Sequence, residues 1–408
     1  MDEPSVHQDA HKERSENGSA LMTQLAPIIF LAVIFFLNFT SRIILSPLIP
    51  TLEKDMALSH GEAGSFFLFI TIGYFISLVG SGFISSRISH RLTVTISAVA
   101  IGFVLVGVCF VETAWGVGAC MFVLGLVTGI YLPSGIATVT NLVHPRQWGT
   151  ALAIHELAPN LGFVLAPLVA EALMIWCSWR GVMAAIGLAS VLAGVCFISF
   201  GRGGELTGEK PNFGSIRSLL GNPSFWVMVV LFSLGISSSI GTYSMLPLYL
   251  VADHGLVRVE ANTLVAISRV STLFVVFFAG WASDRFGAKR LMTVVFLLTG
   301  SLTVLFGLAN TSWIKLIVLL QPVFAVCFFP AGFVLLSVIV PPQSRGLAVS
   351  LAIPVAFMVG GGLAPAGIGF LGDAGQFELG FILLGVCILS GILLLGVVKL
   401  RDYEGKVL

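Results

Sequence analysis

The sequence has little charge for its length. Of its 408 residues, 10% are Asp, Glu, Lys or Arg and 57% are hydrophobic, and the mean hydropathy is +1.01. Soluble domains carry roughly 25% charged residues, and a soluble chain of this size with so few could not cover its own surface with polar groups. The composition therefore excludes a soluble globular protein and predicts an all-α membrane protein that is covered by lipid.

The motifs of catalysis and metal binding are also missing. The six cysteines lie scattered through apolar segments, without a C-x-x-C or a metal-type spacing, so packing thiols are expected. There is no zinc pattern, Walker motif or nucleophile elbow, and the glycines at 360–362 lack the Lys-Ser/Thr of a phosphate loop. We expect no enzyme activity, no cofactor, no metal and no nucleic-acid partner.

What the sequence does have is long apolar runs. A membrane-spanning helix needs about 20 predominantly apolar residues, and twelve such runs occur. They cover residues 26–50, 64–84, 93–111, 115–139, 149–172, 180–200, 223–250, 261–281, 291–309, 313–338, 346–370 and 377–399. The predicted fold has twelve transmembrane helices in two six-helix bundles.

Polar stretches set the predicted boundaries of these bundles. The longest internal polar stretch divides six spans from six. The predicted parts are a disordered cytoplasmic tail at 1–24, a bundle at 25–200, a central cytoplasmic loop at 201–222, a second bundle at 223–400 and a tail at 401–408. Residues 1–24 lack the apolar h-region of a cleavable signal peptide, so span 1 is expected to act as the signal anchor.

The placement of lysine and arginine predicts the orientation. With the N-terminus inside, the cytoplasmic segments hold 15 of these residues and the opposite side holds 4. The remaining two of the 21, Arg42 and Arg269, lie within spans. Positive charge accumulates on the cytoplasmic side of membrane proteins. We therefore expect a multi-pass protein of the inner (plasma) membrane with both termini in the cytoplasm.

The two halves share an internal repeat. At an offset of 198, residues 82–87 align with 280–285 and Glu62 aligns with Glu260. At an offset of 197, residues 131–135 align with 328–332, and Pro145 and Gly149 align with Pro342 and Gly346. Parallel repeats of this kind are typical of secondary transporters, in which two halves rock around a site near the midplane. The repeat thus predicts alternating access.

The loop after span 8 carries the most specific motif. Residues Gly280, Asp284, Arg285, Gly287, Lys289 and Arg290 follow the pattern G-x-x-x-D-R-x-G-x-(K/R)-(K/R). Together with the span count, the repeat and the central loop, this motif makes the chain resemble the major facilitator superfamily. The resemblance implies the two-bundle fold, solute transport, and a loop that latches one conformational state.

The first-half copy of this motif departs from the pattern, with Ser86 in place of Asp and Ser89 in place of Gly. In the intact copy, Asp284 is expected to face a helix N-terminus, where the helix dipole favours a carboxylate, while Gly280 permits close helix approach and Gly287 a tight turn. The alternative is a positively charged cytoplasmic loop with no gating role.

Two arginines lie where charge is expensive. A charge near the bilayer centre costs at least about 2.5–3.5 kcal/mol on insertion scales, so such residues usually face a cavity and mark function. Arg42 lies in span 1 and Arg269 in span 8, hence in opposite halves. Two guanidiniums facing each other could bind an anion through bidentate hydrogen bonds. The alternatives are that Arg42 extends to the outer surface and that Arg269 pairs with a carboxylate of a neighbouring helix.

Span 5 carries a second polar group of residues, His155, Glu156 and Asn160. Glu156 and Asn160 are one helical turn apart on one face, and histidine titrates near neutral pH. Either His155 or Glu156 could load and release a coupling proton. The alternative is a structural role at the cytoplasmic rim.

Further polar residues are candidates for contacting the solute. Asn38 lies one turn before Arg42, and Tyr131, Tyr243 and Gln321 lie in spans 4, 7 and 10, which line the cavity in the family that the chain resembles. The alternative for each is hydrogen bonding between helices. Glu112, Glu171, Asp253 and Asp373 fall at outer span ends and are expected to be solvated.

The function that these residues favour is secondary transport, by a monomer, of a small anion such as an organic carboxylate, with H⁺ as a candidate coupling ion. No ATPase segment occurs, so a gradient is expected to drive it. One alternative is an exporter of drugs or amphipathic metabolites, which the aromatic content and the Gly and Pro residues of span 5 allow. Another is a transporter-like receptor or scaffold that moves no solute.

Overall fold

The computed structural model describes residues 6–208, 213–341 and 345–397. Within them, twelve helical segments are long and apolar enough to cross a membrane, and only an isolated bridge, between Ser89 and Thr207, represents β-structure. The prediction of an all-α protein with twelve spans is confirmed. The predicted tail at 401–408 lies outside the described residues.

The spans are made of the following helices. Span 1 comprises Val6–Ile43 and Leu45–Met56, span 2 His60–Ser85, span 3 His90–Val108, span 4 Ala114–Gly129 and Tyr131–Leu142, span 5 Trp148–Leu173, and span 6 Trp179–Phe200. Span 7 comprises Pro223–Ile236, the π-helical Ser237–Gly241 and Thr242–Ala252, span 8 Arg258–Val270 and Thr272–Phe286, span 9 Ala288–Phe306, span 10 Thr311–Ala325 and Phe328–Val338, span 11 Arg345–Phe357, the π-helical Met358–Leu363 and Ala364–Asp373, and span 12 Phe377–Val397.

Among the described residues, two shorter elements lie between spans, the 3₁₀ turn Pro145–Gln147 and the helix Phe213–Leu220. The latter falls within the predicted central loop. The first helix begins at Val6, inside the segment for which a disordered tail is predicted, and its apolar part begins at Met22.

The repeat predicted from sequence is visible in the helix breaks. Span 1 restarts at Leu45 and span 7 at Thr242, 197 residues later, and span 4 restarts at Tyr131 and span 10 at Phe328, again 197 residues later. Membrane helices tolerate such breaks because neighbouring groups re-satisfy the freed backbone. The breaks of spans 1 and 4 in spans 1–6 (the first half) therefore recur at equivalent places, in spans 7 and 10, in spans 7–12 (the second half).

Glycine pairs bring equivalent helices of each half into backbone contact. A Cβ added at Gly102 of span 3 would lie 2.5 Å from the carbonyl oxygen of Gly187 in span 6. The equivalent pair, 198 residues on, is Gly300 and Gly385 in spans 9 and 12, where the corresponding distance is 3.1 Å. Small residues let membrane helices approach closely. These pairs are not among the features predicted from the sequence.

The hydrogen bonds that join the halves cluster at one end of the molecule, the end that carries the loops after spans 1, 5, 7 and 11. Ser46 Oγ donates to the carbonyl of Tyr243 at 2.9 Å, and Ser59 Oγ donates to the carboxylate of Asp373 at 2.9 Å. Asp373 also accepts from the backbone N–H of Gly61 at 3.1 Å. We call this the closed end.

Candidate functional site

Arg42 lies inside the first half at a small cavity that also touches the second half. Its side chain is 8% exposed, and its Cζ lies 4.4 Å from the ring centre of Tyr74 and 5.2 Å from that of Phe39. The cavity is lined by spans 1, 2, 7 and 11, and includes Phe357 of span 11, whose ring centre is 5.8 Å from the Arg42 Cζ. Arg42 is therefore buried rather than extended to the outer surface.

Arg269 is held from both halves. Its Nη2 donates to the carbonyl of Ser239 at 2.9 Å and its Nη1 to the hydroxyl of the same residue at 3.3 Å. Its Cζ lies 5.1 Å from the ring centre of Tyr243 and 4.7 Å from that of Phe163 in span 5. The side chain is 3% exposed, so Arg269 is anchored by backbone and aromatic groups.

Neither arginine has a counter-ion among the residues that the structure describes. Within the described part of the chain, no carboxylate forms an ion pair with Arg42 or Arg269, and the Nε of each lacks a hydrogen-bond partner. The alternative of an Arg269–carboxylate pair is thus not what the structure shows. An uncompensated buried charge is costly, and an anion supplied from outside would offset that cost.

Two phenylalanines connect the arginines. Arg42 lies over Phe39 and Arg269 over Phe163, and these two rings pack at 5.0 Å with an interplanar angle of 76°. Arg42 lines the cavity described above, and Arg269 is not among its lining residues. In this conformation the two guanidiniums are linked through rings rather than by direct contact.

The four other predicted solute contacts lie in different surroundings. Asn38 Nδ2 donates to the carbonyl of Thr128 at 3.1 Å, and Gln321 Nε2 donates to that of Ser238 at 2.6 Å, so both join helices within one half. Tyr243 is fully buried beside Arg269, and its hydroxyl lacks a partner among the described residues. Among the described residues, it is the one of the four whose buried side-chain polar atom has no hydrogen-bond partner.

Tyr131 belongs with the polar residues of span 5. Its hydroxyl lies 3.0 Å from His155 Nε2, and His155 Nδ1 lies 3.3 Å from Glu156 Oε1. The His155 ring is fully buried, whereas the Glu156 side chain is 52% exposed. Asn160 Nδ2 donates to the backbone carbonyl of Glu156 at 3.2 Å. The predicted span-5 group is therefore brought together, with Tyr131 added to it.

The intact loop motif forms the turn between spans 8 and 9. Span 8 ends at Phe286, and Gly287, at φ +87°, leads directly into span 9. A left-handed backbone of this kind suits glycine, as expected. The close helix approach expected at Gly280 is absent, because a Cβ there would meet nothing within 4 Å.

The degenerate loop motif of the first half is held by a segment after span 6. Ser89, which replaces the glycine, caps span 3, because its hydroxyl accepts from the N–H of Leu92 at 3.3 Å. We call residues 204–208 the return segment. Its carbonyls accept from the N–H groups of His90 at 3.0 Å and Arg91 at 2.7 Å. The N–H of Gly208 in turn donates to the carbonyl of Ser85 at 2.7 Å. This segment was not predicted from the sequence. The adjacent glycines Gly203 and Gly204, both with positive φ, indicate the turn that leads into it.

The closed end contains an ion pair that sequence reasoning also missed. Arg258 Nη2 lies 3.0 Å from Glu171 Oε2, and its Nη1 donates to Thr51 Oγ1 at 3.0 Å. Asn262 Nδ2 donates to Glu171 and, at 3.1 Å, to the carbonyl of Pro47. The Glu171 side chain is 12% exposed and binds groups of the other half, so the expectation that Glu171 is solvated is wrong. Asp373 is exposed, as expected, and also accepts hydrogen bonds from the other half.

The fold, the broken spans and the small cavity lined by both halves define a membrane transporter with twelve candidate spans among the described residues. The sequence pattern described as Major Facilitator Superfamily matches residues 31–268 and 241–407, so the chain belongs to this superfamily. The earlier resemblance is confirmed.

Relatives and solved structures add detail. The chain is 22% identical over 312 residues to the membrane sensor protein UhpC of Escherichia coli (strain K12), covering 70% of this chain and 69% of UhpC. It is 23% identical over 323 residues to a probable hexose phosphate transport protein of Chlamydia trachomatis serovar D, covering 69% of each. The structure of a bacterial homolog of the human lysosomal transporter Spinster, inward-facing and occupied, superposes with a TM-score of 0.78 at 14% identity, covering 91% of this chain and 95% of that one.

Proposed function

We propose that this protein is a secondary active transporter of a small organic anion, a carboxylate or a phosphate ester, that works by alternating access. The observation that carries the proposal is the pair of buried arginines, Arg42 and Arg269, in opposite halves and without a carboxylate partner among the described residues. Guanidinium forks match carboxylate and phosphate geometry. A relative described as a probable hexose phosphate transport protein supports an anionic solute.

The orientation follows from the charged loops. With the lysine- and arginine-rich loops in the cytoplasm, the closed end faces the outside and Glu156 lies in the cytoplasmic half of span 5. The chain would then be inward-facing in this conformation. The contacts of Arg258 with Glu171 and of Asp373 with Ser59 and Gly61 would be the external gate, which must separate when the halves rock outward.

The span-5 group is the candidate for coupling. His155 and Glu156 lie within hydrogen-bond distance, and the Glu156 side chain is 52% exposed, so a proton can exchange at this pair. Coupling to H⁺ would let the anion be accumulated without ATP.

Uptake into proteoliposomes tests the proposal. The panel would contain inorganic phosphate, a hexose phosphate, a sugar-acid carboxylate and an amphipathic cationic drug. We expect an anion to be taken up by the native protein and not by Arg42→Gln or Arg269→Gln, while Arg180→Gln, at the closed end, transports normally. Normal anion uptake by both Arg42→Gln and Arg269→Gln would refute the anion site.

A non-transporting sensor is the second candidate, favoured by the similarity to a membrane sensor protein. Counterflow separates the two. A transporter preloaded with unlabelled solute exchanges it for labelled solute, whereas a sensor binds the solute and shows no counterflow.

A further inference from the structure

The tautomer of His155 is fixed by its neighbours. The hydroxyl of Tyr131 lies 2.8 Å from the carbonyl oxygen of Leu31 and 3.0 Å from His155 Nε2. A carbonyl oxygen can only accept, and a tyrosine hydroxyl has one hydrogen to donate. That hydrogen therefore goes to Leu31, and the hydroxyl oxygen must accept from the imidazole. His155 Nε2 carries a hydrogen.

The imidazole cannot turn away from this arrangement. Its ring stacks on Phe35 with centroids 4.5 Å apart and an interplanar angle of 8°, and it is fully buried. Its other nitrogen, Nδ1, is aimed at Glu156 Oε1, 3.3 Å away. In neutral histidine with hydrogen on Nε2, Nδ1 is an acceptor, and an ionised carboxylate is also an acceptor.

Two acceptors face each other unless a proton lies between them. We propose that His155 and Glu156 form a binding site for a single proton, between Nδ1 and Oε1, and that Tyr131 is a positioning residue that forces this proton to come from solution. The coupling role of the site rests on the proposed transport function, whereas the site itself does not. Tyr131, expected to contact solute, receives a different role.

The path of the proton follows from exposure. The Glu156 side chain is 52% exposed and the His155 ring is not exposed at all, so the proton enters and leaves through the carboxyl group. On release, one proton passes from the pair to water, His155 stays neutral with hydrogen on Nε2, and the ionised Glu156 loses its partner.

The charges that face the pair predict the direction of coupling. Glu156 is close enough to interact electrostatically with Tyr74 of span 2 and Tyr131 of span 4, and Arg42 lies over the ring of Tyr74. From span 8, Arg269 contacts Phe163, two turns along span 5. Loading the proton removes a negative charge from this region, which favours an anion beside Arg42. Proton and anion should therefore bind together, as in symport.

Nitrogen NMR of the full-length protein, labelled with ¹⁵N-histidine, tests the site without any solute. The His155 signals are identified by their loss in His155→Gln. We expect Nε2 to stay protonated at every pH while Nδ1 changes state, and we expect Tyr131→Phe to move the neutral-state hydrogen to Nδ1. Tyr249→Phe is the matched control, since its buried hydroxyl also donates to a carbonyl, that of Phe306, at 2.7 Å. Hydrogen on Nδ1 in the native neutral form, or an unchanged tautomer in Tyr131→Phe, would overturn the proposal.

Transport in proteoliposomes tests the coupling. In Glu156→Gln, the amide can donate permanently to Nδ1, which mimics the loaded site. We expect counterflow of a hexose phosphate or a sugar acid to persist within about threefold, and accumulation driven by an imposed pH gradient to be lost. Undiminished accumulation by Glu156→Gln would refute coupling at this site. If the native protein moves no solute, the transport function fails while the NMR result stands by itself.

Discussion

The guanidinium of Arg269, in the second half, lies 4.7 Å from the ring centre of Phe163, in the first. The reverse contact also exists, because Arg42 of the first half lies 5.8 Å from the ring centre of Phe357 in the second. Phe163 and Phe357 belong to spans 5 and 11, which are equivalent in the repeat. Each buried cation thus rests on an aromatic ring of the opposite half, so rocking of the halves must change the surroundings of both charges.

This arrangement predicts that charge alone will not replace either arginine. Lysine keeps the positive charge but loses the planar fork and the stacking surface. We expect Arg42→Lys and Arg269→Lys each to weaken anion binding at least tenfold, measured by the ligand-induced rise in thermal stability of the purified protein.

The matched control is Arg180→Lys, because Arg180 also lies over a ring, that of Trp179 at 4.2 Å, but outside the cavity. Its anion affinity should be native. Full binding by Arg42→Lys or Arg269→Lys would show that a point charge suffices and would argue against bidentate recognition.

The ion pair of the closed end predicts a shift of conformation. Glu171→Ala leaves Arg258 and Asn262 without their shared acceptor, at a cost of about 1–3 kcal/mol, between the values for exposed and buried pairs. A cysteine placed at the buried Ser244, in a chain lacking the native cysteines, should react at least fivefold faster with an impermeant thiol reagent applied from the closed end.

Glu112→Ala serves as the comparison, since Glu112 is an exposed acid at the same end. It should leave the labelling rate unchanged. Equal rates in Glu171→Ala and the native chain would mean that the pair does not hold the gate.

The glycine pairs predict unequal effects of one added methyl group. In Gly102→Ala the new Cβ meets the backbone carbonyl of Gly187, which cannot move without shifting a helix. In Gly300→Ala the closest atom, at 2.7 Å, belongs to the side chain of Leu389, which can rotate. We expect a loss of about 1–3 kcal/mol for Gly102→Ala and less for Gly300→Ala, read from thermal unfolding.

Gly107→Ala tests whether substitution in span 3 is itself harmful, because a Cβ there meets nothing within 4 Å. Its midpoint should be native or slightly higher. A midpoint as low as that of Gly102→Ala would mean that contact with span 6 is not the cause.

The return segment predicts a local change in protease sensitivity. Gly204 has φ +79°, and a Cβ there would lie 2.8 Å from the backbone nitrogen of Arg91. Gly204→Ala should detach residues 204–208 from the loop after span 2 and speed proteolytic cleavage within residues 201–222 severalfold. Gly255→Ala has a similar φ, +65°, in open space, and should leave that cleavage rate unchanged; an equal rate in both variants would contradict a clamping role.

The fold was largely predictable from the sequence because lipid imposes a strong pattern. Twelve apolar runs and a repeat offset of 197 to 198 residues are properties of the chain alone. Gly102 and Gly300 obey the same offset, yet their role depends on which helices pack together, and an apolar sequence does not state that.

The candidate site was predictable only in part. Arg42 and Arg269 stand out because charges are rare in spans, but Phe163 and Phe357 cannot be distinguished among 32 phenylalanines. Glu171 and Arg258 read as ordinary charges at span ends, since their pairing exists only where the two halves meet. Tyr131 was a candidate from the sequence, but only the structure shows that its hydroxyl contacts both the carbonyl of Leu31 and His155 Nε2.

The return segment also limits how far the halves can separate. Because residues 204–208 are bonded to the first half, the covalent tether to the second half is only residues 209–222. Its eight-residue helix, Phe213–Leu220, spans about 12 Å, and the six other residues reach at most about 3.5 Å each. The connection between the two bundles is thus at most roughly 33 Å long. An insertion into this tether would raise that maximum separation without changing the cavity.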